Sequence, residues 1–495
     1  MKQAGLWLIV GTALIGLAMP AQAQWQCLYA TYDDFNNYIN CVGDNVVSVG
    51  VIQENMFVAL VYDGGASSAP AANYLIPFVG ADSANGRVNF AGYDVPDVFQ
   101  VWSDEGFDQV AMLNARQLVC TPDSMIYVAN NDQEHNILVF KFTGDTTKAV
   151  PNVLGSYPRQ ITGDKTIYGI DVDANGYVYV CVDTSAGLTE DLKVYPPIDG
   201  WSAFHTDSPV LTLDLPDGIY KGITTNADGS ELYICKYDTN APGRTILKFK
   251  GSPTTGYTQD AGFQFAMAAE DTIPASARLP RPLGVKLLQP NNILFAACTD
   301  IFAGGAAYDY SRIYLIDPNT GALASTDTMV NRINVAYWNF SLIGAYNDRT
   351  DGITPGNASG YASTYEVEFD ENGNVYSQSY YGWTVEKWAY NGELPILTGV
   401  EQIGLNVPEK FSLQQNYPNP FNPSTTIEFA LPGNAHVTLS VYDMLGREVA
   451  VLVNEERAAG SYRVTFDARS LPSGTYLYSL RAGSSQEIRK MVLVK

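Results

Sequence analysis

Histidine is scarce in this 495-residue sequence, which has only three: His135, His205 and His436. They occur in unrelated contexts, without the spacing that a zinc site or a catalytic triad would need. No glycine-rich loop of the kind that binds phosphate is present either. The sequence therefore favours a binding or structural role over catalysis.

Positive charge is also in short supply. The chain has 29 Lys and Arg against 52 Asp and Glu, for a net charge of -23. Setting aside the single lysine before residue 24 and the eight bases and seven acids of residues 411–495 leaves 20 bases and 45 acids, a net of -25 for residues 24–410. Such a body repels nucleic acid and anionic lipid surfaces. Cations, neutral glycans and basic proteins remain open as partners, and a solvated extracellular surface is the simplest explanation.

No apolar run near the N-terminus is long enough to cross a membrane. The run Leu6–Met19 has 14 residues, whereas a membrane-spanning helix needs about 20. It follows Lys2 and precedes Ala21-Gln22-Ala23, a small-x-small cleavage site. This layout predicts a secretory signal peptide at residues 1–23, cut after Ala23 so that Gln24 starts the exported protein.

Cysteine is limited to six residues. Cys27 and Cys41 lie close together in an exported chain, so a disulfide between them is one option that the sequence leaves open. Three others end the similar segments YVYVC, ELYIC and LFAAC, and Cys120 precedes another such segment. These four, Cys120, Cys181, Cys235 and Cys298, are predicted to be unpaired core residues.

Short strands and tight turns dominate the rest. The chain has 32 tyrosines and 43 glycines, which with abundant β-branched residues indicates an all-β protein. The clearest unit is Gly169–Asp183, GIDVDANGYVYVCVD, where two strands flank the turn Ala174-Asn175-Gly176. Related units recur between about residue 45 and residue 390. Their second strands are about 50 to 80 residues apart, a spacing that fits one four-stranded blade per copy. We therefore predict a six-bladed β-propeller at residues 24–396.

The repeated pattern is Gly-Ile/Val, Asp or Asn, Gly, an aliphatic-Tyr-aliphatic strand, Asp, and a basic residue before a third strand. It is clearest at residues 169–195 and 222–249 and resembles NHL-type and related six-bladed propellers. The distantly similar lactonase and calcium-dependent esterase propellers imply a metal at the channel mouth. The corresponding positions are Tyr168, Lys221, Leu283 and Thr364, which are not ligands for a hard cation. This departure counts against that enzyme class.

The segment Asp171–Gly176 matches the opening of a calcium loop, D-x-D-x-N-G. The twelfth position, where such a loop has a bidentate glutamate, is Val182. A hairpin turn stabilised by its own Asp and Asn side chains explains the match better. We therefore predict no cofactor, with calcium as the alternative.

Loops that follow the second strands carry the candidate binding residues. An aspartate opens four of these loops, and the sixth copy has aromatic residues there instead. The set is Asp132, Asp183, Asp238, Asp300, Tyr380, Tyr381 and Trp383. Carboxylates beside flat aromatic rings suit sugars. The competing explanation is that each aspartate caps its own loop and that the aromatic residues pack within the blade.

The repeat pattern ends before a linker at residues 397–410, and a different sequence pattern follows. Residues 411–495 contain Asn416-Tyr-Pro-Asn-Pro-Phe421 and several short alternating segments, which predict a small Ig-like β-sandwich. The stretch resembles the C-terminal sorting domain of proteins exported by the type IX secretion system. The motif residues that carry the resemblance include Asp443, Gly446, Arg447, Gly474, Tyr476, Lys490 and Lys495.

That resemblance implies passage across the outer membrane and recognition by the type IX machinery. It also implies removal of the domain by a sortase-like peptidase, followed by release or attachment to surface lipopolysaccharide. We predict a secreted or cell-surface propeller that binds glycan or protein at one face. The alternatives are a metal-dependent, lactonase-like hydrolase and a structural component of an extracellular layer.

Overall fold

The structure is a computed structural model. It describes residues 24–30, 45–63, 72–82, 87–90, 98–103, 106–131, 135–141, 152–158, 167–182, 191–197, 208–216, 218–236, 245–265, 281–289, 291–299, 311–325, 332–334, 364–379, 384–392, 394, 400–404, 408, 410–457, 459–468, 471–483 and 485–495. The regular elements assigned among these residues are β-strands, so the prediction of an all-β protein is confirmed.

Six four-stranded antiparallel sheets form the blades of a propeller. Blade I contains β2 (Asn45–Gln53), β3 (Met56–Asp63), β4 (Ala72–Asp82) and β5 (Arg87–Phe90). A hairpin of β6 (Val98–Ser103) and β7 (Gly106–Ala111) follows. Blade II contains β8 (Gln117–Cys120), β9 (Met125–Ala129), β10 (His135–Lys141) and β11 (Asn152–Pro158). Blade III contains β12 (Ile167–Val172), β13 (Val178–Val182), β14 (Leu192–Tyr195) and β15 (Leu211–Leu213).

The remaining blades follow the same order. Blade IV contains β16 (Tyr220–Thr225), β17 (Glu231–Lys236), β18 (Thr245–Ser252) and β19 (Gly256–Gln259). Blade V contains β20 (Arg281–Leu288), β21 (Ile293–Thr299), β22 (Arg312–Ile316) and β23 (Arg332–Asn334). Blade VI contains β24 (Thr364–Phe369), β25 (Val375–Ser379) and β26 (Thr384–Asn391), and its fourth strand is β1 (Gln24–Ala30) from the N-terminal end.

The ring closes on itself. The innermost strands are β2, β8, β12, β16, β20 and β24; each contacts the next, and β24 contacts β2. Six hydrophobic clusters each lie between two neighbouring blades. Between blades VI and I, for example, the rings of Phe57 and Tyr376 lie 5.6 Å apart. Since no single sheet can bury both of its faces, the closed ring shields every blade, and the six-bladed propeller is confirmed.

Strand β1 completes the last blade. It pairs antiparallel with β26, with Trp25 opposite Tyr390 and Cys27 opposite Trp388. The Trp25 ring also contacts Phe295 of blade V, 6.1 Å between ring centroids. The N-terminal part of the chain thereby joins the last blade, which covers an otherwise exposed sheet edge.

Glycines on three consecutive inner strands allow the blades to approach closely. A Cβ on Gly284 would lie 2.3 Å from the Tyr365 carbonyl oxygen, and one on Gly222 would lie 2.4 Å from the Leu283 carbonyl oxygen. A Cβ on Gly169 would meet the Lys221 carbonyl oxygen at 2.7 Å. The glycine of the sequence repeat is therefore a packing requirement between neighbouring blades rather than a turn signal.

The prediction that the four repeat cysteines form no disulfide is confirmed. Among the described residues, Cys120, Cys181, Cys235 and Cys298 are thiols rather than halves of disulfides, and the last three are buried. Burial raises the pKa of the Cys120 and Cys235 thiols. Cys41 and the Cys27 side chain lie outside the described residues, so a disulfide between them stays a prediction.

Asp173 stabilises the turn that resembled a calcium loop. Its Oδ1 accepts hydrogen bonds from the amides of Asn175 and Tyr177, each at 2.9 Å, and its Oδ2 accepts one from the Tyr179 hydroxyl at 3.0 Å. Gly176 has a φ of 86°. In blade VI, Asp370 bonds to the amides of Asn372 and Asn374 in the same way. This is the arrangement expected of a self-capped hairpin turn.

The C-terminal residues form a β-sandwich. One sheet has the order β27 (Val400–Gly404), β32 (Gly460–Asp467), β29 (Ser424–Leu431), β28 (Ser412–Leu413). The other has the order β31 (Glu448–Arg457), β30 (Ala435–Tyr442), β33 (Gly474–Ala482), β34 (Ser485–Leu493). Its core includes Phe429, Tyr462 and Tyr478. Strand β27 falls within residues 397–410, so the sheet extends further towards the N-terminus than the predicted start at residue 411.

Candidate functional site

Seven polar side chains meet at the centre of the propeller, and every inner strand contributes at least one. We call this group the axial plug: Ser48 (β2), Gln117 (β8), Asp171 (β12), Thr224 (β16), Lys286 (β20), and Glu366 and Glu368 (β24). Two of its contacts, Gln117–Glu366 and Asp171–Lys286, join strands that are not neighbours in the ring. These contacts therefore span the central channel. Glu366 and Glu368 are two residues apart on one strand and therefore point to the same side.

Glu366 forms the first layer of the plug. Its Oε2 lies 2.5 Å from Ser48 Oγ, and its Oε1 accepts a hydrogen bond from Gln117 Nε2. The Gln117 Oε1 in turn accepts from the Ile170 amide at 2.8 Å. Burial raises the pKa of Glu366 well above its ordinary value, against the lowering effect of Ser48. Burial therefore favours the protonated form of this carboxyl group more than water does, and its Oε2 accepts the hydrogen bond from the Ser48 hydroxyl.

Lys286 forms the second layer. Its Nζ lies 3.0 Å from Asp171 Oδ1 and 2.9 Å from Glu368 Oε1. Burial alone would lower the pKa of Lys286, but the carboxylates of Asp171 and Glu368 outweigh this effect and raise it. Burial raises the pKa of Glu368 to about 7, although Lys286 acts in the opposite direction. Asp171 Oδ2 also accepts from the Thr224 hydroxyl at 2.9 Å and the Thr225 amide at 2.8 Å.

Two inner-strand glycines lie beside the first layer of the plug. The backbone contacts of Gly284 and Gly222 place both residues at the level of Glu366. The plug groups named above are hydrogen-bonded or paired with one another, so their polar atoms are satisfied within the protein.

The channel mouth adjoins the first layer, where the inner strands begin. Arg116, Tyr168 and Lys221 lie at the starts of β8, β12 and β16, and each is partly exposed. Lys221 Nζ lies 3.1 Å from the centroid of the Tyr168 ring, and Arg116 Cζ lies 5.5 Å from the same point. We call these three residues the mouth cluster.

The second strand of each blade ends at the same mouth. In blade III, Val182 at the end of β13 pairs with Ile167 at the start of β12. In blade IV, Lys236 pairs with Tyr220 in the same way. The loops predicted to bind a ligand therefore leave the blades beside the mouth cluster.

The predicted binding residues themselves are not among those described. Asp132, Asp183, Asp238, Asp300, Tyr380, Tyr381 and Trp383 all lie outside the described ranges, as does Ala23 of the predicted cleavage site. They stay predictions. Within the ranges that are described, no group of three or more His, Cys, Asp or Glu is arranged to hold a metal ion.

Sequence reasoning missed the axial plug. The sequence feature that could have indicated the plug is the alternation Glu366-Val367-Glu368. The inner strands of the other blades are mostly apolar or contain glycine. Acidic residues at alternate positions of an inner strand indicate a polar centre. The partners are too distant in sequence for a local pattern to identify.

The sorting-motif residues occupy turns and strand ends of the sandwich. Asp443 Oδ1 accepts from the amides of Leu445 and Arg447, and its Oδ2 lies 2.7 Å from Arg447 Nε. Gly446 in this turn has a φ of 80°. The Tyr476 hydroxyl donates to the Pro472 carbonyl at 2.8 Å, and the Lys495 amide donates to Ser473 Oγ at 3.0 Å. Gly474 begins β33 and Lys490 lies within β34, where its carbonyl oxygen accepts from Gln415 Nε2.

Residues 415–495 match the family model described as a secretion system C-terminal sorting domain. The predicted resemblance is therefore confirmed for this part of the chain. It follows that the protein interacts with the type IX secretion machinery and is exported to the cell surface or the extracellular space. No curated protein matches the chain.

Several solved structures resemble the chain at low identity. A gluconolactonase from Xanthomonas campestris is 12% identical, with 75% of this chain and 90% of that one covered and a TM-score of 0.40. PorZ, a surface component of the type IX secretion system of Porphyromonas gingivalis, is 9% identical, with coverage of 91% and 81% and a TM-score of 0.24. A family AA12 carbohydrate-active enzyme from Trichoderma reesei is 11% identical, with coverage of 75% and 96% and a TM-score of 0.40. Likenesses this weak assign neither a substrate nor a partner to this chain.

In the described ranges there is no helix of sufficient length and hydropathy to span a membrane.

Proposed function

We propose that the exported propeller is a non-catalytic binding domain that holds a glycan or protein ligand at its channel-mouth face. The observation that carries this proposal is the axial plug. Because the plug groups pair with one another across the axis, they leave little capacity for a substrate to engage them. A ligand is then confined to the mouth, where the loops of the second strands leave the blades.

The chemistry expected at this face supports the same proposal. The loops predicted to bind carry aspartates in four blades and aromatic residues in the sixth. Carboxylates accept hydrogen bonds from sugar hydroxyls, and aromatic rings pack against the apolar faces of sugars. The mouth cluster adds a tyrosine and two cations beside these loops.

A glycan array and a pull-down with the purified exported protein test the proposal. The matched variant changes four loop residues together: Asp183→Asn, Asp238→Asn, Tyr381→Ala and Trp383→Ala. We expect binding by the parent protein and at least a tenfold loss in the variant, with unchanged thermal unfolding. Binding that survives the four changes would remove the proposal.

The metal-dependent hydrolase stays an alternative proposal. The raised pKa values of Glu366 and Glu368 are the kind of perturbation seen at acid–base sites. Both side chains are buried, however, and their partners are protein groups. Calcium titration by calorimetry decides between the two, because a lactonase-like enzyme of this kind requires a bound cation.

A further inference from the structure

Exposed apolar side chains are concentrated in the sandwich. In the part of the chain that the structure describes, eight large apolar residues are exposed, and six of them belong to residues 411–495. The larger propeller contributes two, Leu113 and Val210. Apolar residues scattered singly over a surface need no explanation, whereas neighbouring ones mark a contact surface. The sandwich is therefore the part of the protein in which a docking site is expected.

Two of the six residues are adjacent at the tip of one hairpin. Met444 and Leu445 lie in the turn between β30 and β31 and are 65% and 81% exposed. Val494 follows β34 and is half-exposed at the same end of the sheet, where β30 and β34 end and β33 begins. We call these three residues the apolar tip.

Polar contacts fix the turn that carries Met444 and Leu445. Asp443 Oδ1 accepts hydrogen bonds from the amides of Leu445 and Arg447 at 2.9 and 3.0 Å, and its Oδ2 accepts one from Arg447 Nε at 2.7 Å. Gly446 supplies the left-handed backbone conformation, with a φ of 80°. These contacts do not depend on which side chains stand at positions 444 and 445. Because exposed turns usually carry small or polar residues, two large apolar ones here indicate contact with another molecule.

Size and charge limit what covers the apolar tip. Three side chains offer far less than the roughly 800 Å² per partner that a stable protein dimer buries, which disfavours a second copy of this chain. The net charge of -25 on residues 24–410 disfavours an anionic lipid surface. A small apolar contact instead suits a brief encounter with a protein that has a matching apolar pocket.

The location of the tip within the sorting domain indicates which protein that is. Asp443, Gly446 and Arg447, which shape the turn, lie in the segment 415–495 that matches the secretion system C-terminal sorting domain. The chain interacts with the type IX secretion machinery through this domain. A contact surface built from its motif residues is therefore part of the interaction that the chain makes during export.

We infer that the apolar tip docks into an apolar pocket of an outer-membrane component of the type IX secretion machinery. Asp443, Gly446 and Arg447 are positioning residues, because they hold the turn in the shape that presents the apolar side chains to solvent. The inference concerns export and does not depend on which ligand the propeller binds. No covalent step is involved.

A double variant tests the contact. The full chain with Met444→Ser and Leu445→Ser is produced in a host that has a type IX system, and surface protein is measured by cell fractionation and by protection from added protease. We expect at least roughly a tenfold loss of surface protein, because the apolar contact is lost, with accumulation in the periplasm. Thermal unfolding of the purified chain should be unchanged.

The matched control is Ile488→Ser in the same sandwich. Ile488 is 58% exposed on β34 and lies five residues, or about 16 Å along the strand, from Leu493 at the tip end. This control removes an exposed apolar side chain of similar size from the same domain. We expect its export to match that of the parent chain.

The shape of the turn is tested separately at Gly446. Gly446→Ala keeps both apolar side chains, and its new Cβ would meet no described atom within 4 Å, so its effect comes from the positive φ alone. We expect it to reduce export by shifting the turn. Gly446→Asn should restore most of the export, because asparagine tolerates the left-handed conformation.

Photo-crosslinking identifies the partner. The full chain with Leu445→p-benzoylphenylalanine is irradiated in cells that have the complete machinery and in cells that lack it. We expect a crosslink to an outer-membrane protein of the machinery in the first cells and its loss in the second. The same replacement at Val210 of the propeller, which is 48% exposed, should give no such crosslink.

Several outcomes would overturn the inference. Normal export of the folded double variant is one, and an equal loss of export for Ile488→Ser is another. A crosslink from position 445 to a second copy of the chain or to lipid, or no crosslink at all, would have the same consequence. If the double variant does not fold, the crosslink decides, because it changes a single exposed residue. A negative glycan array would remove the proposed function and leave this inference in place.

Discussion

Lys286 of β20 reaches Asp171 of β12 across the propeller, with 3.0 Å between Nζ and Oδ1, although β16 lies between their strands in the ring. The same ammonium pairs with Glu368 at 2.9 Å. One lysine thus ties together blades III, V and VI at the axis. Contacts of this kind resist separation of the blades as well as filling the channel.

Removing this lysine should destabilise the propeller. Lys286→Met keeps most of the side-chain volume but leaves Asp171 and Glu368 without their cation, and breaking a buried pair in this way costs about 3–5 kcal/mol. Urea unfolding measures the change. The control is Lys250→Met, since the 55% exposed Lys250 side chain forms only a surface pair with Asp260 and should cost at most about 1 kcal/mol. Equal effects of the two changes would contradict a structural role for the plug lysine.

Stability should decrease as pH rises towards neutrality. The pKa of an ordinary glutamate is 4.5, and burial raises the pKa of Glu368 in the folded protein to about 7. Between these values the folded state binds more protons than the unfolded state, so the free energy of unfolding falls with rising pH. The contribution of this group across the window is up to roughly 3 kcal/mol.

Urea unfolding at several pH values checks this, with Glu368→Gln as the test variant. The variant should reduce the slope between about pH 4.5 and about pH 7. Glu428→Gln, at a surface pair with Arg463 in the sandwich, should leave the slope unchanged. A parent protein that gains stability over the same pH range would show that the sign is wrong.

Glu366 should tolerate an amide but not truncation. Burial raises the pKa of Glu366 and so favours its neutral form, and the amide of Glu366→Gln can still contact Ser48 and accept from Gln117. We expect a change below about 1 kcal/mol for Glu366→Gln at neutral pH and a loss of about 2–4 kcal/mol for Glu366→Ala, which leaves both partners unsatisfied. Thermal unfolding of the two variants distinguishes them. A large loss for Glu366→Gln would mean that the glutamate is ionised.

A methyl group on the inner-strand glycine should force two blades apart. In Gly284→Ala the new Cβ would lie 2.3 Å from the Tyr365 carbonyl oxygen and 2.7 Å from the Glu366 Cα, both on the backbone. Overpacking against backbone costs about 1–3 kcal/mol or more. Gly262→Ala serves as the control, because among the described residues a Cβ there would meet only the flexible Asp260 carboxylate within 4 Å, at 3.2 Å. The free energy of unfolding of the two variants, compared with the parent, gives the answer.

Export should require the whole sandwich. Strand β27 pairs with β32, so a chain ending at residue 399 loses the complete sheet, whereas one ending at residue 410 retains an isolated β27. Both should remain in the periplasm, measured by cell fractionation and by protection from added protease. Surface exposure of either truncated chain would show that residues 415–495 are dispensable for sorting.

Much of the fold could be predicted from local patterns. The third strand Leu192–Tyr195 and the first two strands of most blades follow from alternating apolar residues beside Asx/Gly turns. Fourth strands such as Leu211–Leu213 were not predicted, because they are short and only partly buried. The role of β1 was missed for another reason: nothing in Gln24–Ala30 indicates that its partner strand lies more than 350 residues away.

By itself, the sequence determined the all-β repeat, the core position of the repeat cysteines and the sorting domain, because each depends on residues close together in the chain. Only the tertiary structure decided that the N-terminal strand closes the ring and that its centre is a polar plug. Ser48 and Glu366 are 318 residues apart, and Asp171 and Lys286 are 115 apart. Their hydrogen bonds and ion pairs exist only once the blades have closed into a ring, which brings side chains from distant repeats within 3 Å of one another.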